Sequence, residues 1–286
     1  MTTHDQYPGR LAAVGIVFIS ILLPYFFAAF FISPQGGTIP DSARIYIFIG
    51  EIFIIVPSAV YVFRKQFSIK RVYRLKSVSS PAVLWSLVIG ISISTLGDEF
   101  DRLISMVIEP PDWLAESLAF FQINSFGEFL LIVGALVIIT PVAEELLFRG
   151  FLQTTLEYRT QDVTKSVLIT ALAFALLHMN TWWIIQIYLF GVALSYLSWR
   201  TQSVVPGIAA HMGINGLSLI FSNLEPSQLG WYEMGNHVSV IWLGLAGAGV
   251  FYGFREINRM FSLADRQSRT IIPAESAQDT SETKPE

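Results

Sequence analysis

One long apolar stretch decides the fold of this chain. Residues 126–158 read FGEFLLIVGALVIITPVAEELLFRGFLQTTLEY. A transmembrane helix needs about 20 mostly apolar residues to cross a hydrocarbon core of about 30 Å. The stretch exceeds that length, so we expect its helix to tilt, kink or protrude from the bilayer. Within its apolar length it carries Glu144, Glu145 and Arg149. Ionisable side chains are costly inside a bilayer and by default indicate a functional site.

The composition of the whole chain agrees with a membrane protein. Charged residues make up 14% of the 286 residues and hydrophobic residues 53%, whereas soluble domains average about 25% charged residues. The net charge of −4 gives no indication of a nucleic-acid partner. Because the chain has no cysteine, disulfides, thiolate metal sites and cysteine nucleophiles are excluded.

Further apolar segments lie on both sides of the opening stretch. Together they predict an all-α, polytopic transmembrane helix bundle of about eight spans. The predicted spans are Leu11–Ile32, Ile45–Phe63, Ala82–Val107, Phe126–Tyr158, Lys165–Asn180, Trp182–Trp199, Val204–Ser222 and Val238–Phe254.

The distribution of basic residues predicts the orientation of the bundle. Six lysines and arginines and no acid occur in residues 64–76, whereas residues 98–128 contain seven acids and only Arg102. By the positive-inside rule the first loop is cytoplasmic. Two spans precede that loop and six follow it, so we expect both termini in the cytoplasm.

The chain divides into four predicted regions. Residues 1–125 contain the first three spans and an interfacial segment, and residues 126–222 form a core of four spans. Residues 223–263 hold the eighth span and its flanks. Residues 264–286 are rich in Ser, Thr, Gln, Glu, Lys and Pro, which predicts a disordered cytoplasmic tail.

Polar residues inside predicted spans are the candidates for function, because burying them in a bilayer is costly. Three clusters occur on three spans: EELLFR at 144–149, FALLH at 174–178 and HMGIN at 211–215. Each also has a structural interpretation, as an ion-pair clamp, a packed histidine or an interhelical hydrogen bond. Glu51, in the second span, could likewise be functional or a paired structural acid.

The depths of two of these clusters can be compared. The fourth and fifth spans form a predicted hairpin that turns near residues 161–162. Glu144 lies 17 residues before Gln161, and His178 lies 17 residues after it. At about 1.5 Å per residue, both side chains sit roughly 25 Å from the turn. A kink at Pro141 would bring His211, on the seventh span, to a similar depth.

The converging residue types suffice for hydrolysis. A carboxylate in an apolar site can act as a general base on water, and an imidazole can hold that water or shuttle the proton. A second imidazole and an amide can stabilise an oxyanion. Glu144, His178 and His211 are equally acceptable zinc ligands, although the chain has no HExxH motif.

The three clusters carry a family resemblance. EExxxR, FxxxH and HxxxN, in this order on successive spans, resemble the CPBP intramembrane protease family, also called the abortive-infection or type II CAAX prenyl endopeptidase family. Gly150, after the arginine, also fits this pattern. The resemblance covers residues 126–222, about a third of the chain.

The resemblance implies an endopeptidase in the cell membrane, with a site that opens towards the cytoplasm. It implies that Glu144 and His178 activate water, while His211 and Asn215 stabilise the oxyanion. No cofactor is required on this interpretation, although zinc remains an alternative. The residues with a supporting, structural role are Glu145, Arg149 and Phe174.

Two other functions remain open from the sequence. The first is a non-catalytic membrane scaffold or regulator on the same fold, and the second is a proton-coupled transporter. The complete polar set favours the enzyme, and the chain shows no inverted repeat of the kind that transporters use. The expected partners are the lipid bilayer and a peptide or lipidated protein substrate, with no nucleic acid. The sequence leaves open the identity of the substrate and the oligomeric state.

Overall fold

A computed structural model of the chain describes residues 7–31 and 49–270, which are predominantly helical. A β-hairpin, β1 (Glu233–Met234) with β2 (His237–Val238), is the sheet in this described part. The ten helices numbered here are α1 (Arg10–Phe31), α2 (Val56–Arg64), α3 (Ile69–Val72), α4 (Ser80–Ser105), α5 (Asp112–Ala119), α6 (Phe126–Thr160), α7 (Val163–Leu177), α8 (Ile184–Thr201), α9 (Val205–Ser222) and α10 (Val240–Thr270).

Four helices of the described part are long and apolar enough to cross a membrane. They are α4, α6, α9 and the first 23 residues of α10, Val240–Ser262. Two shorter apolar helices, Arg10–Pro24 within α1 and the whole of α7, accompany them. A mostly helical fold with four candidate membrane spans is therefore confirmed, whereas the number of eight spans and the cytoplasmic termini stay predictions.

The second predicted span is not one continuous helix where the structure describes it. Residues 49–53 are helical, residues 54–55 form a turn, and α2 begins at Val56. Pro57 explains the break, because proline lacks a backbone N–H and disfavours helical geometry at the preceding residue. The first part of this predicted span, residues 45–48, lies outside the described residues.

Helix α6 alternates between α-helical and π-helical stretches along its length. Two π-helical stretches, Val133–Ile139 and Leu146–Gln153, flank the α-helical turn Thr140–Glu145. Pro141 cannot donate to the carbonyl four residues earlier, and its ring crowds that carbonyl, so the preceding turn widens. The wide turns set the rotation of Glu144 and Glu145 relative to the rest of the helix.

Close helix packing around α4 depends on glycine. A Cβ atom at Gly90 would lie 1.9 Å from the carbonyl oxygen of Ala210, so the backbones of α4 and α9 touch at this point. Gly253 of α10 packs against the side chain of Ile89 on α4, because a Cβ atom at Gly253 would lie 2.4 Å from the Ile89 Cγ1 atom. Small residues permit this approach, which is how helices associate in lipid.

The acids at the end of α4 have structural partners. Arg102 bonds to Asp98 at 3.2 Å and to Glu233 of the β-hairpin at 2.6 Å. Asp101 accepts a hydrogen bond of 2.6 Å from the indole of Trp182. These contacts fasten α4 to the connections that follow α7 and α9.

Helix α10 continues to Thr270, seven residues into the segment predicted as a disordered tail. Residues 264–270 contain neither glycine nor proline, so nothing in them ends a helix. The remainder of that predicted tail, residues 271–286, lies outside the described residues.

Candidate active site

The hairpin of α6 and α7 brings two candidate residues to one cavity. Gln161 adopts a left-handed conformation with φ of 55°, which ends α6 and reverses the chain. Asp162 then caps α7 by accepting a hydrogen bond of 2.9 Å from the Lys165 N–H. Glu144 and His178, equidistant from this turn, line the same cavity, as the comparison of their depths predicts.

A cavity of about 420 Å³ contains all four residues predicted to be catalytic. Most of its other lining residues are apolar or aromatic, which is typical of a ligand site with few polar anchors. The carboxylates, imidazoles and amides that line it are Glu51, Glu144, His178, Gln186, His211 and Asn215.

Glu144 presents a carboxylate oxygen that no protein group occupies. Its side chain is buried, with 4% exposed, and its Oε2 atom has no hydrogen-bond partner among the described residues. The Nε2 atom of His211 lies 3.7 Å from this oxygen, beyond hydrogen-bond distance. A small polar molecule between the two side chains would satisfy the carboxylate, which is the geometry that a general base for water requires.

Glu145 faces away from the cavity and is clamped by Arg149. The Arg149 Nη1–H donates to Glu145 Oε1 at 2.6 Å, and neither side chain is exposed. The guanidinium also donates to the carbonyl oxygen of Gly191 at 3.2 Å and lies 4.1 Å from the centre of the Phe174 ring. The absence of a side chain at Gly207 makes room for Glu145, since a Cβ there would lie 2.7 Å from Glu145 Oε2.

Glu145 also orients His211. The Nδ1 atom of His211 lies 3.1 Å from Glu145 Oε1. A carboxylate only accepts, so Nδ1 carries a proton and Nε2 is the atom nearer the Glu144 carboxylate. The ion pair therefore supports the cavity indirectly, by holding one of its imidazoles in place.

His178 is fixed by its own helix. Its Nδ1 atom lies 2.9 Å from the carbonyl oxygen of Phe174, which can only accept. Nδ1 must therefore donate, and Nε2 of the neutral ring is left with its lone pair. The Phe174 ring packs edge-to-face against both histidines, with centroids 4.8 Å from His178 and 5.6 Å from His211.

Asn215 is fixed by the first wide turn of α6. Its Nδ2 donates a hydrogen bond of 2.9 Å to the carbonyl oxygen of Leu136. An amide nitrogen has two N–H donors, so one remains for a ligand. Asn215 and His211 lie one turn apart on α9 and both line the cavity.

Zinc binding in the cavity would require at least three of its side chains to come together. No three His, Asp or Glu side chains are grouped to hold a metal ion in residues 7–31 and 49–270. The set predicted as zinc ligands, Glu144, His178 and His211, is therefore not grouped as a three-ligand site in the described part of the chain. Each imidazole near Glu144 uses its Nδ1 atom in a protein hydrogen bond, which leaves Nε2, the nitrogen that a metal-binding histidine uses when the other one donates to the protein.

Glu51 is a further acid of the cavity. This acid lies on the helical segment 49–53, far from the three motifs in the sequence, yet its side chain lines the cavity that contains Glu144. The signal in the sequence was an acid inside an apolar run. Which cavity it would face depends on how the first helices pack on α6, and no spacing in the sequence encodes that packing.

One known family matches the part of the chain that contains the three motifs. Residues 126–217 match the family described as Type II CAAX prenyl endopeptidase Rce1-like. This match supports the CAAX protease family as the family of this chain. Its class of activity is therefore peptidase, and with four apolar helices of spanning length it is an integral membrane protein. The match covers about a third of the chain and includes all three motifs. Neither a curated protein nor a solved structure matches the chain.

Proposed function

We propose that the protein is an intramembrane endopeptidase whose reaction takes place in the 420 Å³ cavity. The observation that carries the proposal is the carboxylate oxygen of Glu144, which is buried without a hydrogen-bond partner among the described residues. It lies in the same cavity as two imidazoles and an amide. The family description supplies the substrate class, a prenylated CAAX protein or peptide.

In the proposed reaction, Glu144 takes a proton from a water molecule that His178 helps to hold through Nε2. The resulting hydroxide attacks the carbonyl carbon of the scissile peptide bond and forms a tetrahedral oxyanion. The proton then passes from Glu144 to the leaving amine, and the C–N bond breaks. The apolar walls exclude other water, which strengthens these interactions.

The oxyanion requires donors, and α9 offers two. Asn215 has an N–H besides the one bonded to Leu136. His211 becomes a donor at Nε2 when its ring carries a second proton, because Nδ1 already donates to Glu145. Donors fixed in advance are the most effective stabilisers of an oxyanion.

Glu144→Gln tests the proposal. The amide keeps the shape of the side chain but cannot act as a base, so we expect cleavage to fall by at least about 10²-fold. The assay uses protein in lipid nanodiscs and a quenched fluorescent CAAX peptide, with and without its prenyl group. Glu109→Gln, at an exposed acid outside the cavity, is the control and should retain full activity. Unchanged turnover by Glu144→Gln would remove Glu144 from the mechanism.

The same assay separates the alternatives. A protein that never cleaves any peptide, although it is folded and monodisperse, would favour the scaffold interpretation. Cleavage of both peptides at equal rates would place the substrate outside the prenylated class. Cleavage that stops on chelation and returns with zinc alone would show that a metal completes the site.

A further inference from the structure

A second cavity lies at the opposite end of α6 from its beginning at Phe126. It has a volume of about 780 Å³ and is formed by residues 70–77 together with the last turns of α6 and Tyr7. Four basic side chains line it, against one acid, Glu157. The cations of this pocket, called here the basic pocket, are Lys70, Arg71, Arg74 and Lys76.

The single acid does not neutralise the basic pocket, because Arg74 already pairs with it. Arg74 is 6% exposed, and both of its terminal nitrogens bond to the Glu157 carboxylate. Gln153 donates a further hydrogen bond of 2.8 Å to the same carboxylate. The remaining cations therefore give the pocket a net positive charge. Among the described residues, neither Lys70 nor Lys76 has an acidic partner.

The buried pair also fixes the shape of the pocket. Arg74 has φ of 49°, a left-handed conformation that its buried side chain holds in place. The chain reverses around it, with the Leu75 N–H donating to the Lys70 carbonyl oxygen at 3.0 Å. The reversal places Lys70 and Lys76 on one pocket although they are six residues apart.

The pocket lies where a membrane surface would be. Helix α6 has 35 residues, more than the roughly 20 that cross a hydrocarbon core of about 30 Å. Its last turns carry Glu157 and Arg159, ionisable side chains that are costly inside hydrocarbon, so this end belongs at the membrane surface. Large apolar side chains near the cations are nevertheless exposed, 69% for Phe63, 51% for Ile69 and 38% for Leu75. Apolar side chains interleaved with cations are typical of segments that lie in the interface of an anionic membrane.

We propose that the basic pocket binds the phosphate group of an anionic phospholipid from the surrounding leaflet. Lysine and arginine form short, charge-assisted hydrogen bonds to phosphate oxygens. The exposed apolar side chains favour a lipid over a dissolved phosphate, because they would enter the same interface as its headgroup. Burial raises the pKa of Tyr7 while Arg71 and Arg74 act to lower it, so the field of these cations reaches this wall of the pocket.

Two matched double variants test the site. Lys70→Gln/Lys76→Gln removes two exposed cations of the pocket, and Arg64→Gln/Lys65→Gln removes two exposed cations of the same loop that do not line it. Native mass spectrometry would follow the retention of phosphatidylglycerol and of phosphatidylcholine by the detergent-purified protein. Each surface cation strengthens binding by about fivefold, so we expect the pocket variant to weaken phosphatidylglycerol binding by about 25-fold. The control variant should stay within about twofold.

Two results would overturn the inference. Equal losses in the two double variants would show a diffuse attraction rather than a pocket. Inorganic phosphate that binds the wild-type protein as tightly as phosphatidylglycerol would show that the lipid is not recognised. None of these measurements depends on peptidase activity.

Discussion

Removing the guanidinium of Arg149 should destabilise the protein strongly. In Arg149→Met, the buried carboxylate of Glu145 keeps only its contact with His211, since its partner at 2.6 Å is lost. Stranding one charge of a fully buried pair costs about 3–5 kcal/mol. The variant Glu145→Gln/Arg149→Met carries no charge at this position and loses mainly the hydrogen bonds to Gly191 and Ser195. Arg149→Met loses the same two hydrogen bonds, so the two variants differ mainly by the stranded charge, and the double variant should be more stable than Arg149→Met by about 3–5 kcal/mol.

The free energy of unfolding can be measured in mixed micelles by titration with sodium dodecyl sulfate, using the fluorescence of the seven tryptophans. Arg255→Met is the matched control, because Arg255 is exposed and its loss should change stability by less than about 0.5 kcal/mol. If the free energy of unfolding of Arg149→Met lies within about 1 kcal/mol of the wild-type value, the ion pair does not stabilise the fold. If Glu145→Gln alone abolishes cleavage without loss of stability, Glu145 belongs to the catalytic set.

Three further predictions concern packing, the cavity and the topology. Gly90→Ala should destabilise the bundle by about 1–3 kcal/mol, because its Cβ atom would lie 1.9 Å from the facing backbone. Gly247→Ala is the control and should not destabilise the bundle, because nothing lies within 4 Å of its Cβ position. Equal thermal stability of the two variants would contradict the contact. Glu51→Gln should lower kcat/KM by about tenfold if its carboxylate orients substrate, and a value equal to that of the wild-type protein would make it a structural acid. The chain has no cysteine, so single cysteines can be introduced at the exposed positions Ser77 and Ser227. We expect a thiol reagent to label position 77 from the cytoplasmic side and position 227 from the opposite side. Reversed labelling would show that the predicted orientation is wrong.

The helices themselves could be predicted largely from the sequence. The apolar runs that became α4, α6 and α9 are long, and their charged interruptions are few, so hydropathy alone finds them. The turn between α6 and α7 was also predictable, and the two residues equidistant from it, Glu144 and His178, line one cavity. The second span was predicted less well, because Pro57 affects only local geometry and the apolar run continues past it.

What the sequence determined by itself is the kind of protein and the short-range pairs. Charged residues in apolar runs identified the candidate site, and the four-residue spacing of Glu145 and Arg149 predicted their contact, since residues one turn apart share a helix face. Only the tertiary structure decided which groups meet across helices. The contact of His211 with Glu145, the hydrogen bond from Asn215 to Leu136 and the position of Glu51 in the cavity all depend on the wide turns of α6 and on packing between helices. Helical periodicity fixes neighbours within one helix, but rotation and depth between helices are set by the shapes of many side chains together.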